Sequence, residues 1–329
     1  MKLVTFERYG KAQIGCLQRS GEVLVFEEAC RAHGSDSIKY FASMLALIEA
    51  GDAGLQAAYR LAERPPDEAV VALDSVKLLA PIPRPPRLRS MSSYPSHLAQ
   101  AQEGRARIIA ATAENPEMAF KAAREKFVQR PPRGYYETPV YWIMDPFCIG
   151  NPDDEVVWPE YSDWIDYELE IVAVIAKAGR DIQKEDAENY IFGYTLMNDL
   201  SARDEQARAA ATSLSITAKG KDFERSCPMG PCIVTRDEID VYKLGATLRV
   251  NGEVWAVGST EKPQWTFSDC ISYASRSAPL VPGEMISSAT VANCSGLEQA
   301  RKGDIGDVVE LDVPGIGVLR NKIVRARRS

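Results

Sequence analysis

The first part of the chain places apolar residues in short runs separated by turn residues. Residues 2–6 and 13–27 carry β-branched residues around the turn signal Ser20-Gly21, which is typical of a hairpin in a small sheet. Apolar residues then recur at helical spacing, at Ile38, Phe41, Met44, Leu45 and Ile48. This second run ends at Gly51, and another helical stretch continues through Leu61. The pattern predicts a small unit of strands followed by helices.

A proline-rich segment, residues 78–90, interrupts this pattern because proline removes a backbone donor and fixes φ. We therefore predict a smaller N-terminal α/β domain at residues 1–80 and a second domain at residues 81–329. Residues 96–127 are rich in helix formers, so we expect helices or a long insertion there. From about residue 155 the chain consists of short strands separated by Gly, Pro, Asn and Asp. This indicates an α+β, β-rich fold with a rolled or closed sheet.

The composition of the chain limits its expected binding partners and its expected cellular compartment. The 329 residues include 39 basic and 46 acidic side chains, and a net charge of −7 argues against a nucleic-acid-binding surface. No apolar run is long enough for a membrane span, so we expect a small-molecule partner. The seven cysteines are scattered without a CxxC pair, and the N-terminus lacks the features of a signal peptide. Both observations favour a cytoplasmic protein.

Three acidic residues occupy alternate positions of one predicted strand. Asp166, Glu168 and Glu170 share a face, and the strand continues as the apolar run 171–176. Acidic faces are usually solvated, but a strand that enters a buried sheet needs a counter-charge for its carboxylates, and a hard divalent cation would supply it. Asp199 follows another apolar strand, where it could join these acids or cap a helix.

Several segments together resemble the fumarylacetoacetate hydrolase family over about residues 75–326. The segments are DYELE, GYTLMNDLSARDEQ, a Gly-Lys-Asp-Phe stretch, SCPMGPCIVTRDEID, VNGEVWAVGST, PGEMISSAT and KGDIGDVVELDVPGIGVLRN. The sharpest are ELE and NDLSARDEQ. The resemblance implies a mixed β-roll as the C-terminal domain, a bound Mg²⁺ or Mn²⁺ ion, and a homodimer.

The resemblance also implies roles for individual residues. Glu168, Glu170 and Asp199 would be the metal ligands, and an all-oxygen set suits Mg²⁺, Mn²⁺ or Ca²⁺ rather than zinc. The resemblance places other residues near the substrate, namely Lys221, Arg203, Gln206, Tyr94 and Thr290. Alternatives stay open for these, since Lys221 could be a surface charge and Arg203 and Gln206 could face solvent on a helix. Thr290 could be an ordinary strand threonine, and Ala289 before it stands where the family usually has glycine.

Only two histidines occur in the chain, and we expect His33 to be structural or solvated. His97 is the candidate base that activates water, because histidine titrates near neutral pH. Many family members carry a glutamate three residues later, where this sequence has Gln100. Glu298 or Glu103 could supply the missing carboxylate, and we favour Glu298.

These residues predict a metal-dependent hydrolase that cleaves a C–C bond in a 1,3-diketo acid such as an acylpyruvate. A decarboxylase or tautomerase of a related, oxaloacetate-like keto acid is the first alternative, since metal-stabilised enolate chemistry needs no activated water. A metal-dependent keto-acid binder without turnover is a further alternative. The aromatic residues Tyr135, Tyr136, Tyr141 and Trp142 could line the pocket, although packing against the core is the commoner role for aromatics.

Overall fold

The computed structural model describes residues 1–126, 130–212 and 218–326. Residues 127–129, 213–217 and 327–329, which fall within the predicted second domain, lie outside the described residues. The strands are β1 Lys2–Arg8, β2 Lys11–Leu17, β3 Val23–Val25, β4 Val70–Val71, β5 Lys77–Leu79, β6 Leu88–Met91, β7 Tyr141–Met144, β8 Ile149–Gly150, β9 Glu155–Trp158, β10 Ile165–Asp166, β11 Glu168–Ile175, β12 Ile191–Asn198, β13 Ser201–Ala202, β14 Cys227–Thr235, β15 Gly245–Val250, β16 Glu253–Ser259, β17 Met285–Ser295, β18 Val308–Val313 and β19 Gly317–Arg325.

The α-helices are α1 Phe26–Ala32, α2 Met44–Glu49, α3 Gly51–Glu63, α4 Pro95–Ala110, α5 Pro116–Lys126, α6 Arg203–Ala211 and α7 Phe267–Ala274. Short 3₁₀ helices span Asp36–Phe41, Asp67–Ala69, Leu73–Ser75, Arg133–Tyr136, Pro146–Cys148, Lys184–Tyr190 and Ala218–Gly220. Helices α4 and α5 occupy most of the segment for which the sequence predicts helices or a long insertion.

The N-terminal region follows the predicted order of strands and then helices, with two differences. A turn at Ser20-Gly21 joins β2 to β3, and a further hairpin turn at Tyr9-Gly10 joins β1 to β2. The helical run from Ile38 to Ile48 is divided between a 3₁₀ helix and α2. The division occurs because Ser43 is extended and its side chain accepts a hydrogen bond from the Ala46 amide at 3.0 Å, which starts a new helix.

One large sheet runs through the molecule in the order β4-β3-β2-β1-β14-β12-β11-β17-β6-β7, with β5 paired to β1 and β8 to β14. A second sheet has the order β16-β15-β18-β19-β9, and β10 pairs with β13. Strand β1 pairs with β14, so the large sheet continues across the predicted domain boundary at residues 80–81. The prediction of an α+β, β-rich fold is confirmed.

Strand β11 lies at the centre of the large sheet and is buried on both faces. Its residues Ile171, Ala173 and Ile175 face the core shared with the second sheet, whereas Val172 and Val174 pack in the core under the N-terminal helices. Burying each Ile or Val contributes roughly 1.5–3 kcal/mol. The apolar half of β11 therefore anchors the strand, and its acidic first residues are held inside the protein. Within the described residues, none of the helices is both long and apolar enough to cross a bilayer.

Candidate active site and metal centre

Glu168, Glu170 and Asp199 meet where β11 begins and β12 ends. The two strands are antiparallel neighbours, with Leu169 opposite Asn198, so the first acids of β11 lie beside the residue that follows β12. One oxygen from each carboxylate lies within 4.8 Å of the others, and all three residues are buried. Burial excludes a solvated acidic face, which was the common alternative for these residues.

The helix-cap alternative for Asp199 is also excluded. Helix α6 begins at Arg203, and its N-cap, Ala202, makes no side-chain capping bond. The Asp199 amide instead donates to the Glu168 carbonyl at 3.0 Å, and the Glu168 amide donates to Asn198 Oδ1 at 3.2 Å. These bonds cross between the two strands, so they fix the side chain of Asp199 toward the other acids.

Two cations, the buried Lys221 and the partly buried Arg203, neutralise part of this acidic cluster. Lys221 Nζ donates to Glu168 Oε2 at 2.5 Å and also to the Asp199 carboxylate. Arg203 binds Asp166 through Nε at 2.8 Å, and its Nη2 contacts Glu168. Burial alone would lower the pKa of both cations, but the adjacent carboxylates outweigh it and raise both pKa values. Lys221 and Arg203 are therefore charged, and the solvent-exposed alternatives for them are excluded.

The pKa values of the three acids differ because the cations are unevenly placed. Burial raises the pKa of Glu170 well above its ordinary range, and the nearby Asp199 carboxylate adds to this. Burial also raises the pKa of Asp199 to about 6, despite the opposing effect of Lys221. The pKa of Glu168 shifts the other way. Burial would raise it, but the charges of Arg203 and Lys221 outweigh burial and lower it. The cluster therefore lacks positive charge most at Glu170, which has no ion pair among the described residues, whereas Asp199 shares Lys221 with Glu168.

A divalent cation fits this deficit. Asp166, Glu168, Glu170, Asp199 and Glu298 supply five carboxyl groups around the site, whereas Arg203 and Lys221 supply two permanent positive charges. The Oδ1 atom of Asp199 is buried and has no hydrogen-bond partner within the described residues. An all-carboxylate oxygen set matches the preferences of Mg²⁺ and Mn²⁺. Glu168, Glu170 and Asp199 are thus suited to hold such an ion.

Glu170 is oriented by two serines that sequence reasoning missed. Ser287 Oγ donates to Glu170 Oε2, and Ser90 Oγ lies 3.5 Å from the same oxygen. Both serines are fully buried on the strands β17 and β6. A serine within an apolar strand gives little local signal, because the direction of its hydroxyl depends on the neighbouring strand.

His97 lies between two carboxylates. Its Nδ1 is 3.2 Å from Glu298 Oε2, off the line of a straight hydrogen bond, and its Nε2 is 3.6 Å from Glu168 Oε1. Burial would lower the pKa of His97, but Glu298 and then Glu168 outweigh it, so the pKa is raised. Gln100 is exposed, and Glu103 pairs with Arg107 on the surface of α4. Glu298 is therefore the carboxylate placed beside His97.

These groups open into one cavity of about 700 Å³. Its polar wall includes Ser92, His97, Glu168, Glu170, Asp199, Arg203, Gln206, Lys221 and Thr290. Its apolar wall includes Leu98, Tyr135, Val140, Tyr141, Trp142 and Ala210. Three of the four aromatic residues left open by the sequence thus line the cavity, and the fourth, Tyr136, is 45% exposed.

Tyr94 is the predicted site residue that the structure places elsewhere. Its side chain is buried in the hydrophobic core, and its hydroxyl donates to the Thr260 carbonyl at 3.1 Å. That bond uses the hydroxyl donor, so the prediction that Tyr94 binds substrate does not fit the structure. The other predicted site residue away from the polar wall is Glu298, which reaches the site through His97. Ala289, beside Thr290, lines the cavity with a φ of +66°, a conformation that is uncommon for alanine.

The sequence did not predict the contacts that Asp166 makes within the site. Its Oδ2 accepts from Arg203, and its Oδ1 accepts from the Leu297 amide at 2.9 Å. It therefore connects the arginine of the site to the turn that carries Glu298. Its position two residues before Glu168, on the same strand face, was the available signal.

Known proteins resemble this chain in sequence. The sequence model described as fumarylacetoacetate (FAA) hydrolase C-terminal matches residues 108–324. Oxaloacetate tautomerase YisK of Bacillus subtilis (strain 168) is 28% identical over 332 residues, covering 98% of this chain and 100% of that protein. The human mitochondrial oxaloacetate tautomerase FAHD2A is 35% identical over 191 residues, covering 56% of this chain and 59% of that protein.

Two solved structures extend the likeness to the fold. The fumarylacetoacetate hydrolase EaFAH from the psychrophile Exiguobacterium antarcticum has a TM-score of 0.69 and 27% identity, covering 99% of this chain and 100% of that one. Maleylpyruvate hydrolase from Sphingobium sp. SYK-6, in complex with manganese(II) and pyruvate, has a TM-score of 0.69, 20% identity and the same coverage. The matched sequence segment spans most of the chain and contains the three clustered carboxylates. The chain belongs to the fumarylacetoacetate hydrolase family.

Proposed function

We propose that this protein is a keto–enol tautomerase of oxaloacetate-like 2-oxo acids that requires Mg²⁺ or Mn²⁺. The observation that carries the proposal is the position of His97, which lies 3.2 Å from Glu298 and lines one cavity with the three clustered carboxylates. The two relatives named above as oxaloacetate tautomerases support it, and one of them aligns with nearly the whole chain.

The divalent ion would be held by Glu168, Glu170 and Asp199. When bound, it would supply positive charge that favours the enolate form of a 2-oxo acid. Lys221 contacts two of the three ligands and lies at the cavity wall, so its ammonium group would add a positive charge close to a substrate oxygen.

A carboxylate of the substrate would lie toward α6. Arg203 Nη1 donates to Gln206 Oε1 at 2.8 Å, so this contact uses the oxygen of the Gln206 amide and leaves its Nε2 group to donate. Thr290 lies on β17, opposite Glu170 of β11 in the strand register, and its hydroxyl is a further donor at the cavity wall. Together these donors suit an anionic oxygen without adding a further full charge.

His97 would transfer the proton. Tautomerisation moves one proton from the enol oxygen to the neighbouring carbon and consumes no water. An imidazole can accept the first proton and return one to carbon, and Glu298 stabilises the imidazolium formed in between. General acid–base transfer of this kind contributes about 10²–10⁴-fold to a rate.

A C–C bond hydrolase acting on an acylpyruvate is the second candidate. The cavity of about 700 Å³ falls within the usual range for drug-sized ligands, and a four-carbon dicarboxylate would fill only part of it. The wall formed by Tyr135, Val140 and Trp142 could contact an apolar acyl group. In this reaction His97 would take the proton from water instead of from the enol.

The test measures both reactions with the same protein. Enol-oxaloacetate and an acylpyruvate are incubated with the protein and Mg²⁺, and loss of the enol absorbance, pyruvate formation and acid release are followed. We expect faster enol loss from oxaloacetate without matching pyruvate formation. His97→Asn should remove this activity, whereas His33→Asn, which changes a histidine that bonds the Arg64 carbonyl, should retain it.

Other outcomes separate the alternatives. Cleavage of the acylpyruvate without acceleration of enol loss would replace the proposal with the hydrolase. Pyruvate formed from oxaloacetate in step with its loss would indicate a decarboxylase. Tight binding of either compound with no product would indicate a binding protein.

A further inference from the structure

The main chain of α4 contacts the main chain of a turn near the candidate site. We call residues 295–300 the acid turn because they include Glu298. A methyl group in place of the Gly104 hydrogen would lie 1.8 Å from the Leu297 carbonyl oxygen and 2.9 Å from its carbon. Both are backbone atoms, which cannot rotate away as the end of a side chain could. Helix α4 therefore lies closer to the acid turn than any residue with a side chain at position 104 would allow.

This contact joins the two elements that supply the base and its carboxylate. His97 is in the first turn of α4, and Gly104 is seven residues later, about two turns or 10.5 Å along the helix. Residues at this spacing lie on the same side of a helix. Leu297 adjoins Glu298, so the backbone contact at Gly104 and the contact between His97 and Glu298 lie on one interface.

The acid turn is fastened independently of α4. Glu298 Oε1 accepts from the Asn293 amide at 2.9 Å, and its Oε2 accepts from Ser295 Oγ at 2.9 Å. The Leu297 amide donates to Asp166, which in turn binds Arg203. Three of these bonds are made by residues of the turn, and two of the three join it to Asn293 and Asp166 outside it. An added side chain at position 104 would therefore displace the helix rather than the turn.

We infer that Gly104 is a positioning residue that sets the separation between His97 and Glu298. Gly104 is not among the residues that line the cavity, so it acts through the placement of α4. The consequence for catalysis rests on the proposed function, whereas the consequence for the geometry of His97 does not.

The experiment compares Gly104→Ala with Gly245→Ala. Gly245 begins β15, and a methyl group there meets nothing within 4 Å among the described residues. Histidine-labelled, metal-free protein gives ring signals from only two residues, which His33→Asn assigns. We expect Gly104→Ala to shift the His97 ring signals toward those of Glu298→Gln and to leave the His33 signals unchanged. Gly245→Ala should match the wild-type protein.

Kinetic and metal-binding measurements complete the test. We expect kcat for enol-oxaloacetate to fall at least tenfold in Gly104→Ala, while KM and the Mn²⁺ dissociation constant stay within about twofold. If the wild-type protein shows no tautomerase activity, the proposed function fails, but the His97 signals still decide the inference about Gly104.

Two results would overturn the inference. One is a folded Gly104→Ala protein whose His97 signals match wild type, whatever its activity. If the metal-free variant does not fold, the same spectra are recorded with Mg²⁺, since a ligand that binds the native state stabilises it. Failure to fold there as well would show that Gly104 is needed for folding, and would refute a role confined to positioning.

Discussion

Replacing Glu298 by glutamine tests the assignment of this residue as the partner of His97. The change keeps the size of the side chain and removes its charge. At 3.2 Å, an effective dielectric constant of about 20 gives a gross attraction of about 5 kcal/mol between imidazolium and carboxylate. Net contributions of hydrogen bonds to charged groups are smaller, about 1.5–3 kcal/mol. Since about 1.4 kcal/mol corresponds to one pKa unit, we expect the pKa of His97 to fall by about one to two units.

The direction follows from the charge. Glu298 stabilises the protonated ring and raises the pKa of His97, so its loss must lower that pKa. Histidine-selective NMR titration of the metal-free protein measures this directly, because His33 is the only other histidine. We also expect kcat to fall at least about tenfold, as part of the general-base contribution. Glu103→Gln is the matched control on α4, since Glu103 pairs with Arg107 at the surface. An unchanged His97 pKa in Glu298→Gln would refute the pairing.

Three further predictions concern the metal. Mn²⁺ affinity should fall as the pH drops through about 6, because burial raises the pKa of Asp199 to about 6 and below that pH its proton must leave as the cation enters; calorimetry showing no dependence on pH would contradict this. Lys221→Met should tighten Mn²⁺ binding, measured by electron paramagnetic resonance, because a competing like charge is removed; Lys219→Met, at an exposed neighbour, should have no effect. Ser287→Ala should weaken Mn²⁺ binding about 10–100-fold, since Ser287 orients Glu170, and an unaltered affinity would exclude that role.

The sequence predicted the part of the acidic cluster that lies on a single strand. Alternation over two residues placed Glu168 and Glu170 on one face, and the apolar run after them indicated a strand that is buried on both sides. The strand pairing that brings Asp199 beside them is a tertiary feature, so composition and spacing left a helix cap open. The family resemblance resolved that ambiguity because it carries information about tertiary position.

The features that the sequence did not predict depend on distant packing. The hydroxyl of Tyr94 is directed to Thr260 by the way the start of α4 packs, which local residues do not specify. The aromatic side chains at Tyr135 and Tyr141 were expected to pack, and a preference for burial does not distinguish a core from a cavity wall. The sequence also did not predict the close approach between Gly104 and the Leu297 backbone, because the residues around a helical glycine do not show which distant segment it contacts.

The charges of the site explain how the same cluster can be buried and still suit a cation. Buried carboxylates are costly unless they are paired, and here Arg203 and Lys221 compensate Asp166 and Glu168 most completely. Compensation is less complete at Glu170, which has no ion pair among the described residues, and at Asp199, which shares Lys221 with Glu168, and burial raises both of their pKa values. The protein thus keeps Asp166 and Glu168 paired with fixed cations, whereas the lower positive charge around Glu170 and Asp199 favours an incoming cation. His97 Nε2 lies 3.6 Å from Glu168, so the imidazole adjoins a carboxylate whose charge is compensated by both Arg203 and Lys221.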